Sequence, residues 1–250
     1  MLKRIAVIGK DKSLAKALSG KSKAKDLEIV TAKPDSLPPA TAAVAISAED
    51  AAAGLQSAIA LGARHEAVLS LLAQSLDARE DFKPGSSERV KEHATRFAKA
   101  LKLGSEDQLK LERAALLRDI GKMTVPTKVL LKDSLLTYDD WDQLRRHTHA
   151  GGDILAKTDG FQDIADVVRR HHCCYDGTGY PDGLEGEQIP CLARALKILD
   201  VFCAMTSPRH YRKGQSTLDE AAAHLKEERG KHFDPELVDV FIAGAVGQEG

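Results

Sequence analysis

One helix constrains this chain more than any other feature. From Leu192 to Met205 the sequence is apolar almost all round, and Ile198, Leu199, Val201 and Phe202 flank a single acid, Asp200. A helix without a polar face is buried on every side, so this one sits at the centre of a helical bundle. A lone carboxylate buried there is costly unless a cation, a metal or a strong hydrogen-bond donor meets it. Asp119 poses the same problem, because it follows Ala114-Ala115-Leu116-Leu117 at the inward end of another helix.

Histidines supply the other half of the pattern. In the helix expected over Phe161 to Cys173, Ile164, Val168 and His172 recur every four residues, with Val167 and His171 beside them on the inner arc. A single histidine on such a face is ordinarily a satisfied core residue, but two adjacent ones at a helix end point to metal ligation. Divalent iron, manganese or zinc takes mixed imidazole and carboxylate ligands from several helices of a bundle. The loop Asp176-Gly177-Thr178-Gly179-Tyr180-Pro181 follows directly. Its Gly-x-Gly spacing alone is an ordinary turn signal, and its position beside the His pair gives it weight. Lys122, Arg209, Arg212 and Lys213 offer local positive charge for a phosphodiester, although a solvated basic face explains Arg212 and Lys213 equally well.

The flanking segments define an α+β chain. Near its start, Ile5 to Gly9 and Leu27 to Val30 are apolar runs separated by a helical stretch around Leu14 to Leu18, and Ala42 to Ile46 makes a third run. This predicts a small α/β unit over residues 1–66, like a shortened receiver domain. It lacks an acidic pair after the first strand, where Gly9-Lys10-Asp11 stands, and has Ser47 where a phosphorylated Asp would sit. Its plain reading is a packing or dimerisation module without phosphotransfer, which leaves a homodimer open. Residues 67–84 form a connecting helix, and the helical domain runs over 67–250. Ser86 or Ser87 is expected to cap one helix, Ser105 to Gln108 to form a capping box for the next, and Thr137 to open a helix running toward His147. Helices over Thr217 to Leu225 and Pro235 to Phe241 follow, the last with Asp234 as its cap.

Charge and cysteine content narrow the setting. Lys and Arg number 36 against 37 Asp and Glu, so no overall field draws the chain onto nucleic acid or an anionic membrane. Glu49, Asp50 and Gln56 interrupt the Ala-rich stretch from Ala40 to Ala63 and exclude a membrane span. With no secretory pattern at the N-terminus, cytoplasm is the default. Cys173, Cys174, Cys191 and Cys203 lack disulfide-framework spacing and read as free thiols. Thiolate replacement of metal ligands is a minor alternative, since free cysteine is usually a small buried hydrophobe.

In order and spacing, Arg118 to Lys122, His147 to Gly151, His171-His172, Asp176 to Pro181, and Asp200 with Arg209 and Tyr211 resemble the HD-GYP family. Asp182-Gly183-Leu184, Glu187 to Pro190 and Phe233-Asp234-Pro235 extend the match. The resemblance implies an all-α HD-GYP bundle of bacterial cyclic di-GMP signalling. Such domains hydrolyse the dinucleotide at two or three metals, and their GYP loop is linked to protein partners as well as substrate. It also implies roles: Asp119, Lys122 and Arg118 as catalytic positions, and Lys122, Arg209, Tyr180 and Gly179 against substrate.

The family's first metal takes a first-helix His, both residues of the His-Asp pair, and the late Asp. Ser86 and Arg118 occupy the two His positions, leaving Asp119 and Asp200. The second metal's set, Asp119, His147, His171 and His172, is complete. The acid after the His pair is replaced by Cys173, the acid after the late Asp by Cys203, and a third-metal acid by Phe82. The expectation is one divalent ion, retained binding of cyclic di-GMP or a related nucleotide, a signalling partner at Asp176 to Pro181, and weak or absent hydrolysis. An active phosphodiesterase using the remaining ligands is the alternative.

Overall fold

The computed structural model describes residues 4–8, 28–32, 65–80, 85–207 and 216–246. The chain divides into two compact units, Met1–Ala67 and Val68–Gly250. In the first, β1 (Arg4–Ile8) pairs in parallel with β2 (Glu28–Ala32), Arg4 opposite Glu28. The expected helix around Leu14 to Leu18, the third apolar run at Ala42 to Ile46, and Ser47 lie outside the described residues.

The described part of the second unit is helical. Its helices are α1 (65–79), α2 (Ser86–Ala100), α3 (Ser105–Leu117), α4 (Thr127–Leu130), α5 (Tyr138–Arg145), α6 (His147–Ala156), α7 (Gln162–Arg170), α8 (Cys191–Thr206), α9 (Leu218–Glu227) and α10 (Pro235–Phe241). A 3-10 turn, Ile120–Thr124, links α3 to α4. Among the described residues, no helix is long and apolar enough to cross a membrane.

The apolar helix α8 is the axis of the bundle. Ala193, Ala195, Leu196, Ile198, Leu199 and Phe202 are fully buried, and α2, α3, α7, α9 and α10 pack around it. Phe97 from α2, Phe202 from α8 and Phe241 from α10 meet edge to face, with ring centroids 4.9 and 5.0 Å apart at Phe241. Edge-to-face contact adds to the burial of three large rings and fixes the relative rotation of the helices that carry them.

Several helix ends follow local chemistry. Thr137 and Asp140 form a reciprocal capping box at α5, Thr217 and Glu220 another at α9, and Asp234 accepts from Glu236 N and Leu237 N at α10, where Pro235 is the first helical residue. Others do not. Neither Ser86 nor Ser87 caps α2; Gly85, in the left-handed region at φ 85°, precedes it. Ser87 instead donates from its N and Oγ to the Asp77 carboxylate of α1, at 3.0 and 2.7 Å. The capping box expected at Ser105 is absent, because Ser105 is itself the first helical residue and Gly104, in the cap position, has no side chain to accept.

Two differences shape the site. The helix expected from Thr137 toward His147 is two helices, α5 and α6, separated by Arg146. The helix expected through Cys173 stops at Arg170, so His171 and His172 lie just past its end. The GYP loop folds back there: a Cβ on Gly179 would stand 2.2 Å from Cys174 N and 2.5 Å from His172 O. Gly121 is equally confined, with a Cβ meeting His147 O at 1.9 Å and Gly151 N at 2.5 Å. Only glycine permits both close approaches.

Gly121→Ala is expected to cost about 3 kcal/mol or more through backbone overlap. Gly104→Ser, at an open helix start, should stay within about 0.5 kcal/mol of the parent and gain a cap. Denaturant melts of the two variants give the comparison.

Candidate metal centre

Three imidazoles converge where α6 begins and α7 ends. The ring centroids of His147 lie 5.5 Å from His171 and 5.2 Å from His172, and those of His171 and His172 lie 4.0 Å apart. One ring nitrogen from each falls within 4.8 Å of the other two. Nδ1 of His147 lies 2.6 Å from Leu144 O, and Nδ1 of His171 lies 2.6 Å from Val168 O. A carbonyl only accepts, so each Nδ1 carries the proton and each Nε2 presents a lone pair. Both Nε2 atoms are buried and make no hydrogen bond. Buried polar atoms are rarely left so, and a backbone-anchored Nδ1 behind an open Nε2 is how proteins orient metal-ligating histidines. These residues therefore fit a divalent ion. Burial lowers all three pKa values, that of His171 to about 4, with Lys122 adding to the effect at His147 and neighbouring imidazoles at His171 and His172, so the lone pairs are available at neutral pH.

A charged network borders the imidazoles. Arg118, at the end of α3, donates from Nε to Asp200 Oδ1 of α8 at 2.8 Å and from Nη1 to Ala115 O at 2.9 Å. Its Nη2 lies 3.3 Å from Asp119 Oδ2. On the other side of Asp119, Lys122 Nζ sits 3.1 Å from Oδ1 and 2.9 Å from Glu80 Oε2. Asp119 Oδ1 is also 3.7 Å from His147 Nε2, placing this carboxylate at the edge of the imidazole group while Asp200 is held by Arg118. Burial would raise the Asp119 carboxyl, but Lys122 and Arg118 outweigh it and hold the group well below the usual carboxylate range. Asp200 is lowered too, Arg118 outweighing burial. Glu80 is raised, its burial only partly offset by Lys122.

Tyr180 of the GYP loop lies against the cluster, its ring centroid 4.9 Å from that of His172. Burial raises the Tyr180 phenol, and the nearby Asp200 and Asp119 add to the effect. Gly179 lets the loop approach closely enough for this contact. The loop is braced by Asp176, which accepts from Thr178 N at 3.0 Å and Oγ1 at 2.6 Å, and by Arg170 Nε, 3.2 Å from Asp182. Arg209, Tyr211, Arg212 and Lys213 lie outside the described residues. Cys173 and Cys203 are buried and in no disulfide, and Cys173 Sγ donates to Tyr180 O at 3.4 Å.

Sequence reasoning missed Glu80 and Arg79. Arg79 donates to Lys122 O at 2.5 Å and Val125 O at 2.6 Å, fixing the backbone that carries Lys122. In the sequence, Asp77-Ala78-Arg79-Glu80-Asp81 reads as a solvated helix end. The only available signal was its position at the close of the connecting helix.

The fold and this constellation define a helical metal-site domain of the HD type. The HD domain profile matches residues 70–237, and the chain belongs to that family, in its HD-GYP branch. It is 39% identical over 183 residues to a cyclic di-GMP phosphodiesterase response regulator of Xanthomonas campestris, covering 72% of this chain and 48% of the relative. It is 33% identical over 171 residues to a 3'3'-cGAMP-specific phosphodiesterase of Vibrio cholerae, covering 68% and 37%. A crystal structure of a V. cholerae cyclic GMP-AMP specific phosphodiesterase shares the fold, with a TM-score of 0.57 at 19% identity over 70% of this chain and 47% of that one. The chain thus spans about half or less of these proteins' lengths.

Arg118→Ala leaves two buried carboxylates without their shared partner and is expected to destabilise the metal-free protein by about 3–5 kcal/mol. Adding Asp200→Asn should recover part of this loss in denaturant unfolding. The histidines set a pH dependence. A folded His171 pKa near 4 against an ordinary 6.5 means the unfolded chain binds more protons between these values. Stability of the metal-free protein should therefore be full above about pH 6.5 and fall progressively toward pH 4. Thermal melts of the wild type and His171→Gln, compared across that window, measure the contribution.

Proposed function

We propose that this chain is a cyclic-dinucleotide-binding member of the HD-GYP branch that serves regulation in bacterial cyclic di-GMP signalling, with weak or absent hydrolysis. The supporting observation is the Arg118 guanidinium between Asp119 and Asp200, the two carboxylates that the resemblance assigns to the first metal. A guanidinium is permanently charged, pairs with both acids and can clamp phosphate oxygens. It cannot lower the pKa of a bound water, and phosphodiester hydrolysis in two-metal sites relies on a pair of ions about 3.5–4 Å apart.

His147, His171 and His172, with Asp119 at their edge, hold one divalent ion in this reading, iron, manganese or zinc. When bound, such an ion supplies Lewis acidity toward a phosphoryl oxygen. Lys122 holds the diester's negative charge, and Tyr180 limits access to the imidazoles. The braced loop Asp176 to Pro181 serves as the surface for a signalling protein partner. A working phosphodiesterase is the second reading, favoured by the open Nε2 atoms of His147 and His171 and by Lys122 beside Asp119.

Metal content and cyclic di-GMP binding and turnover, compared for the wild type and Ser86→His with Arg118→His, separate the two. The wild type should carry one ion per chain and bind cyclic di-GMP without turnover, and the double variant should gain a second ion. Two ions per wild-type chain with steady turnover would overturn the proposal.

A further inference from the structure

Arg145, the last residue of α5, is exposed beside the imidazole cluster. Its guanidinium carbon lies 5.3 Å from the centroid of the Tyr180 ring and 6.0 Å from that of Trp141. Nearby acids are engaged elsewhere. Asp142 pairs with Arg146, while Asp140 pairs with Lys132 and caps α5. Among the described residues, neither a carboxylate nor another hydrogen-bond acceptor engages the Arg145 guanidinium. A Trp and an Arg four positions apart on one helix are an ordinary surface pair. Tyr180 makes this arrangement different, because it comes from another part of the chain and its far neighbour is His172, 4.9 Å away. Trp141, Arg145, Tyr180 and His172 thus form a continuous stacked series from solvent to the imidazoles, with 46% of Trp141 still accessible.

That series has the chemistry of a nucleobase subsite. A phosphodiester held at Lys122 carries its base through a ribose to a position several ångströms away. A base seeks a π surface and groups that read its edge. The half-exposed indole of Trp141 supplies the first. The guanidinium fork supplies the second, since two parallel N–H donors match the O6 and N7 acceptors of guanine, whereas adenine places an amino donor where guanine has O6. We infer that Arg145, backed by Tyr180 and Trp141, is a base-recognition subsite that selects guanine over adenine in the bound dinucleotide. This inference rests on the cyclic-dinucleotide reading above.

The experiment measures binding of cyclic di-GMP, cyclic di-AMP and bis(p-nitrophenyl) phosphate, a diester without a purine, to the 250-residue chain loaded with manganese. It compares the wild type, Arg145→Ala, Arg145→Lys and Trp141→Ala. Arg145→Ala should lose at least about tenfold in affinity for cyclic di-GMP, with a much smaller change for cyclic di-AMP and none for the purine-free diester. Arg145→Lys should fail to restore the preference, because an ammonium lacks the fork. Trp141→Ala should weaken both dinucleotides alike. Loss of cyclic di-GMP and cyclic di-AMP by the same factor in Arg145→Ala, or no loss of either, overturns the subsite while leaving the cyclic-dinucleotide reading intact. A wild type that binds no dinucleotide overturns that reading, and the subsite with it. Circular dichroism melts matching the wild type establish that the exposed substitutions act on binding.

Discussion

The Arg118 guanidinium between Asp119 and Asp200 is the interaction on which the rest of the bundle depends. Helix α8 is buried along most of its length and carries one acid, Asp200, on a largely covered face, so that carboxylate requires a countercharge. Arg118 supplies it from the end of α3, and in doing so fixes the depth at which α3 meets α8. Stability alone does not account for this arrangement, because apolar residues of similar volume commonly stabilise a core as well as or better than a buried ion pair. What the pair does that apolar packing cannot is hold two carboxylates ionised beside three neutral imidazoles.

Two close approaches of the backbone then aim the site. Gly121 brings the turn after Asp119 against the first turn of α6, which sets Asp119 near His147. Gly179 folds the GYP loop over the end of α7, which stops that helix and turns His171 and His172 toward His147. The imidazoles thus owe their convergence to loop packing rather than to helical periodicity. Their Nδ1 contacts to Leu144 O and Val168 O come from the last turns of α5 and α7, so each helix end orients one ring.

This explains what could be read before the fold was seen. The centrality of α8 followed from its largely apolar pattern, and the caps at Thr137 and Asp234 from local hydrogen bonding, which depends on a few adjacent residues. The end of α7 did not follow. Its inward pattern continues through His172, and only the distant Gly179 interrupts it. The cap at Ser105 failed by one residue, because the same residues that can cap a helix can also begin it. Glu80 and Arg145 were the hardest, since an acid at a helix end and an Arg four residues after a Trp are the commonest surface features. Their meaning arises only from what the fold sets against them: Lys122 in one case, Tyr180 in the other.

Charge balance gives the site its character. Arg118 and Lys122 face three carboxylates, Asp119, Asp200 and Glu80, and the imidazoles are neutral. Among the described residues all three carboxylates have a cation beside them, so a divalent ion at the imidazoles would share its anionic neighbours, Asp119 and Asp200, with Arg118 and Lys122. Its charge would be only partly compensated, in a pocket that is partly sheltered from water and therefore weakly screened. Such a site attracts an anionic diester strongly. In the proposed reading, a guanidinium in place of a second ion would leave less means of activating water against that diester, so Arg118 would favour holding the ligand over cleaving it.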